Sequence, residues 1–195
     1  TCALPIYFNK TEKFFNFNGD DFFIFAQLVR RQKDTPNKKI KEGSIKTWIL
    51  RSFDDLMKVH DDMVAMAEVL SARIYINLSP KSFKTVDDEM LIKLAVNNKA
   101  HQALNPNKII NSAIGVTKSK EPKWVVDVDD INTKLNILDW LHKEDAIIYD
   151  EFPTKNGFHY IISPVNVNKF ENDLPTIDLH PNSMGTILYV PKSLD

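Results

Sequence analysis

Apolar and polar positions along the chain follow two periods, and these predict its elements. Asp21 to Arg30 (DFFIFAQLVR) is an aromatic-rich apolar run and reads as a buried strand. The polar stretch Gln32 to Ser44, with Pro36, Asn37 and Gly43, reads as a loop, and the alternating Ile45 to Leu50 as the hairpin partner. Ser52 with Asp55 resembles a capping box, after which Leu56, Val59, Met63, Ala67 and Leu70 share one helical face. Arg73 to Leu78 predicts a short strand that ends at Ser79-Pro80. Thr85 is placed to cap a helix running to about Lys99. Pro106 begins a second helical stretch through Ile114, with Gly115 as its stop.

The second half repeats the alternation of strand and helix. Lys123 to Val128 (KWVVDV) is a continuous apolar run of strand length, as expected of a central buried strand. Between Asp130 and Lys143, Ile131, Leu135, Leu138 and Leu141 recur at helical spacing. Ala146 to Tyr149 and Phe158 to Ser163 read as strands joined by the turn Pro153-Thr154-Lys155-Asn156-Gly157, whose Asn-Gly pair is a hairpin signal. Thr176 to Leu179 and Thr186 to Val190 are short strands. The class predicted is α+β in a single domain of 195 residues. An N-terminal hairpin-helix-strand half covers 1–80, a helical connector 81–122, and a ferredoxin-like βαββ half 123–195.

Composition narrows the chemistry. Cys2 is the sole cysteine, so an intrachain disulfide and a thiolate metal cluster are both excluded. No apolar run approaches the roughly 20 residues that span a bilayer. The opening Thr1-Cys2-Ala3-Leu4-Pro5 lacks a basic region followed by an apolar stretch, so no membrane partner is expected and the expected setting is cytoplasmic. The net charge of −1 conceals two opposed regions. Eight Lys or Arg lie between Arg30 and Arg51 against two acids, and eight acids lie between Asp127 and Glu151.

The strongest chemical signal is Asp127-Val128-Asp129 at the end of an apolar strand. Residues i and i+2 of a strand share a face, so two carboxylates stand side by side and repel. A hard cation such as Mg²⁺ or Mn²⁺ relieves that repulsion; the structural alternative is an acidic turn in which Asp130 caps the next helix. A second signal is Lys155-Asn156-Gly157 with His159 two residues on. The glycine turn lets a phosphate approach the backbone, Lys155 adds charge, and His159 can donate a hydrogen bond. The alternative is an ordinary hairpin with a half-buried histidine. The third is Ile177-Asp178, with His180 two residues further.

The order of these three signals resembles the archaeo-eukaryotic primase-polymerase superfamily, in particular its small stand-alone members from phages and mobile elements. Asp127-Val128-Asp129, Gly157-Phe158-His159 and Ile177-Asp178 match its three motifs, although that family usually has Ser where Gly157 stands. The resemblance implies metal ligands at Asp127, Asp129 and Asp178, Mg²⁺ or Mn²⁺ as cofactor, and a nucleotide-phosphate contact at His159. It implies a nucleotidyltransferase acting on nucleoside triphosphates and a single-stranded template, with replication proteins as partners. The βαββ half would be catalytic.

The basic region fits that picture. Arg30, Arg31, Lys46 and Arg51, with Trp48 and Phe53 nearby, are candidates for tracking a nucleic-acid backbone, or else for a solvated hairpin loop. Arg73 is a candidate triphosphate contact or the partner of a structural carboxylate. Two other readings remain: a non-catalytic nucleic-acid-binding accessory protein on a primase-like fold, and a haloacid-dehalogenase-type phosphatase with Asp127 as nucleophile. Against the phosphatase stand Ile131 where Thr or Val is wanted and too few following residues for a doubly wound sheet. No Gly-x-Ser-x-Gly elbow and no Walker-type loop is present.

Overall fold

The computed structural model describes residues 8–17, 19–34, 41–96, 106–154, 157–181 and 185–194. The chain is α+β, with two four-stranded antiparallel sheets. The first sheet contains β1 (Phe22–Arg30), β2 (Gly43–Leu50), β3 (Arg73–Ser82) and β8 (Thr186–Tyr189), in the order β2-β1-β3-β8. The second contains β4 (Trp124–Val128), β5 (Ile148–Pro153), β6 (Phe158–Ile162) and β7 (Asp178–His180), in the order β5-β6-β4-β7. Among the described residues no helix is long and apolar enough to cross a membrane.

Helix α1 (Phe53–Leu70) begins where expected, since the Ser52 side chain accepts a hydrogen bond from Asp55 N at 3.1 Å. It ends at Ser71, which takes the left-handed conformation at φ 45°. Its Leu56, Met63 and Ala67 pack on Ile24, Ala26, Leu28, Ile74 and Ile76 of the first sheet. The other face of that sheet carries Phe23 and Phe25 and is covered by Val86 of α2 (Phe83–Val96) and by Ala113 and Ile114 of α3 (Pro106–Val116). Helix α3 runs through Gly115 rather than stopping there, and closes with Lys81 Nζ donating to the Thr117 carbonyl. A buried cation at a helix C-terminus satisfies an orphan carbonyl and opposes the helix dipole.

Strand β3 also runs further than its sequence predicts, through Pro80 to Ser82. The ladder to β1 passes from Phe25↔Asn77 to Phe23↔Lys81, so Leu78, Ser79 and Pro80 stand opposite Ile24 alone. A proline is tolerated there because the bulge requires no ladder hydrogen bond from it. The bulge turns Ser79 onto the head of β4, where its Oγ accepts from Lys123 N at 2.8 Å and donates to Lys123 O at 3.0 Å.

The second sheet is a split βαβ arrangement used twice. Helix α4 (Lys134–Lys143) connects β4 to β5 with β6 between them, and α5 (Val167–Asp173) connects β6 to β7 with β4 between them. Alternation along the strands sorts its two faces. Trp124, Val126, Val128, Phe158, Tyr160 and Ile162 pack against Ile137, Trp140 and Leu141 of α4 and Phe170 of α5. Val125, Phe152 and Ile161 point the other way, into the core shared with the first sheet. Asp127 and His159 belong to this inward face. Strand β8 follows β7 in sequence yet pairs with β3, so the last strand of the chain returns to the first sheet and interlocks the halves.

Candidate functional site

The site is built by register. On one side Asp127 pairs with His159 of β6, and on the other with Asp178 of β7. Residues directly opposite one another in an antiparallel ladder share a face. Three strands therefore deliver Asp127, His159 and Asp178 in one row across the sheet, and Val125↔His180 is the next β4–β7 pair on that face. Asp129 lies one residue beyond the end of β4 and is exposed, as is Asp178. The Asp130 side chain caps the following 3-10 turn, accepting from Asn132 N at 2.9 Å.

His159 is buried, with 3% of its side chain exposed, and both ring nitrogens are engaged. Nε2 lies 3.2 Å from Asp127 Oδ1, and Nδ1 lies 3.0 Å from Thr186 Oγ1 on β8. A carboxylate only accepts, so Nε2 carries the proton of this bond. The His159 hydrogen bond is the largest influence on Asp127 and holds its carboxyl below the usual range. Partial burial acts in the opposite direction, while His180 and Lys33 add smaller favourable fields. Lys33 comes from the turn after β1, so part of the basic segment acts on the acidic motif.

Gly157 has a steric reason to be glycine. A Cβ at this position would stand 1.7 Å from the Val128 carbonyl oxygen and 3.2 Å from the Asp129 carbonyl carbon. The hairpin backbone thus lies directly on the end of β4 where the two carboxylates emerge. Gly185 makes the equivalent approach to β3, where a Cβ would meet the Ile76 carbonyl oxygen at 2.3 Å. It immediately precedes Thr186, the residue that receives His159. Lys155 and Asn156 lie outside the described residues.

Other candidates are spread over the first sheet. Arg73 donates to both Asp34 oxygens, at 2.8 and 2.6 Å, which is the structural-carboxylate alternative for that residue. Arg31 donates to the Tyr75 hydroxyl at 2.8 Å, and Arg30 reaches Leu70 O at the end of α1 at 3.5 Å. The Lys46 ammonium lies 4.9 Å from the Trp48 ring centroid, close to Met66 of α1. The Arg51 guanidinium lies 4.7 Å from the Phe83 ring on α2. Lys46 on β2 lies beside α1, whereas Arg51, one residue beyond the end of β2, lies against α2 on the other face of the sheet.

Oxygen donors of the kind a hard cation takes are present at Asp127, Asp129 and Asp178. Among the described residues no three His, Cys, Asp or Glu side chains stand close enough together to hold a metal ion. Thr186 was not marked by any sequence signal, because its role depends on β8 leaving the second sheet. No protein-family model, curated protein or solved structure matches this chain.

Proposed function

We propose that the chain is a metal-dependent nucleotidyltransferase of primase-polymerase type, acting on nucleoside triphosphates and a single-stranded nucleic-acid template. One observation carries this reading: Asp127 stands between His159 and Asp178 at a single register of three adjacent strands. Residues of three motifs far apart in sequence thereby fall in one row on one sheet face. Asp127, Asp129 and Asp178 would hold Mg²⁺ or Mn²⁺, with Asp129 turning in from the strand end. When bound, the cation would neutralise charge on the triphosphate and lower the cost of ionising an attacking hydroxyl. Asp127, kept ionised by His159, is suited to that task. His159 orients Asp127 and, through Thr186, ties the acidic strand to the first sheet.

The internal engagement of His159 and Arg73 favours a second reading, a non-catalytic nucleic-acid-binding accessory protein on the same scaffold. Both ring nitrogens of His159 and two donors of Arg73 are engaged inside the protein. The phosphatase reading needs a doubly wound parallel sheet, whereas β4 has antiparallel partners on both sides.

Incubating the purified chain with a primed single-stranded template, labelled nucleotides and Mn²⁺ or Mg²⁺ separates the two. Metal-dependent incorporation by the parent and none by the Asp127→Ala/Asp129→Ala variant is the expected result. A folded parent that binds template and incorporates nothing leaves the accessory reading standing.

A further inference from the structure

Lys123 stands at the opposite end of β4 from Asp127. Four residue steps along the strand, about 13 Å, separate them, and both point to the same face. The two hydrogen bonds with Ser79 fix the Lys123 backbone. Its side chain enters a cavity of about 510 Å³ whose walls include Phe17, Pro122, Tyr149 and Pro164, with Lys120 also at its edge. The Lys123 ammonium lies 5.5 Å from the Tyr149 ring centroid.

The pairing of this ammonium is poor for a charge so far removed from water. The Lys123 side chain is 11% exposed, and its acidic neighbour Glu121, 72% exposed, stands 3.8 Å away. The bond to the Glu121 carbonyl is 3.5 Å long. By contrast, the more exposed Lys134 meets Glu151 at 2.8 Å. Burial pushes the Lys123 amine below its ordinary value. A desolvated cation with long contacts is costly unless an anion joins it. Size, largely apolar walls and a few polar groups are the features of a small-molecule site.

We propose that this cavity is a second binding site, separate from the Asp127 row, for a nucleoside monophosphate: the ring lies on the aromatic wall of Tyr149 and Phe17, and the phosphate meets Lys123 and Lys120. Two amines match the charge of a phosphate monoester, about −1.5 to −2 at neutral pH. Two prolines and two aromatic rings give a rigid apolar wall suited to a flat ring. The site uses none of the Asp127 carboxylates, so it is independent of the proposed reaction. The same ring-and-phosphate chemistry is offered by a free nucleotide and by one unit of a single strand.

The test is calorimetric titration of the folded chain with adenosine 5′-monophosphate in EDTA, which removes metal-dependent binding at Asp127. Saturable binding is expected, weakened at least tenfold in Lys123→Met, several-fold in Lys120→Met, and unchanged in Asp127→Asn. Adenosine and ribose 5-phosphate each bind more weakly than the nucleotide. Lys120 is exposed, so its variant keeps the test open if Lys123→Met fails to fold. A short oligothymidylate that binds no tighter per site than the monophosphate marks the free nucleotide as the ligand; tighter, Lys123-dependent binding marks a strand unit. No saturable binding by the parent, or binding unchanged in both lysine variants, overturns the proposal. So does binding lost in Asp127→Asn and retained in Lys123→Met.

Discussion

Asp127 Oδ1 accepts a hydrogen bond from His159 Nε2 at 3.2 Å, between neighbouring strands of the second sheet. The other nitrogen of the same ring is held at 3.0 Å by Thr186, which belongs to the first sheet. One buried imidazole therefore orients the acidic residue at the centre of the candidate site and joins the two sheets beneath it. Glycines at 157 and 185 permit the close backbone approaches on either side of this bridge.

Thr186→Val keeps the shape of the side chain and removes the hydroxyl from His159 Nδ1. A buried polar atom left without its partner costs about 1–3 kcal/mol. For a chain of this size the melting temperature should fall by roughly 2–4 °C for each kcal/mol. Thermal unfolding checks this, and an unchanged melting curve would show that the bridge contributes nothing to stability.

Gly157→Ala places a methyl carbon 1.7 Å from the Val128 carbonyl oxygen, a clash that only backbone movement can relieve. The cost should be about 3 kcal/mol or more, as for severe overpacking. Gly115→Ala, in helix α3 with nothing within 4 Å of the new carbon, should be neutral or stabilising by up to about 1 kcal/mol. Urea unfolding of the two variants side by side measures the contrast. Similar midpoints would refute the close approach at Gly157.

Asp34→Ala leaves the Arg73 guanidinium, 20% exposed, without its bidentate partner, which is 4% exposed. Breaking a largely buried pair from one side costs about 3 kcal/mol. Arg73→Lys should cost less, since an ammonium keeps the charge and loses the fork. Denaturant midpoints should rank parent, Arg73→Lys, Asp34→Ala in falling order. A parent-like Asp34→Ala would mean that the pair does not anchor the turn carrying Lys33.

Lys81 gives the chain an alkaline signature. Burial lowers its amine value in the folded state, while the unfolded chain keeps the ordinary one, about 10.4. Between these two values the unfolded state binds more protons, so stability rises with pH across that window. Lys123, also lowered by burial, acts with the same sign. In Lys81→Met the rise should be shallower when urea midpoints are measured at successive alkaline pH values. Parallel curves for parent and variant would show that Lys81 does not titrate in the window.

Much of the local structure was legible in the sequence. The aromatic run of β1, the cap at Ser52 and the apolar strand carrying Asp127 each declare themselves within a few residues. Helix α5 leaves no periodic signal because it is seven residues long, with only Val167 and Phe170 as apolar anchors. The extension of β3 through Pro80 depends on a bulge opposite Ile24, a feature of pairing that no single segment displays. The return of β8 to β3 is likewise non-local, and Thr186 as the partner of His159 came with it. Asp127, His159 and Asp178 could be linked by their order along the chain, whereas the pairing of Arg73 with Asp34 across 39 residues could not.

The most direct measurement is Mn²⁺ binding, followed by electron paramagnetic resonance, in the parent, Asp127→Asn, Asp178→Asn and the control Asp88→Asn on α2. The account predicts that the parent and control bind the ion alike, and that Asp127→Asn and Asp178→Asn weaken binding at least tenfold. A folded parent without specific Mn²⁺ binding, or equal affinity in all four proteins, would contradict a metal-dependent centre at Asp127.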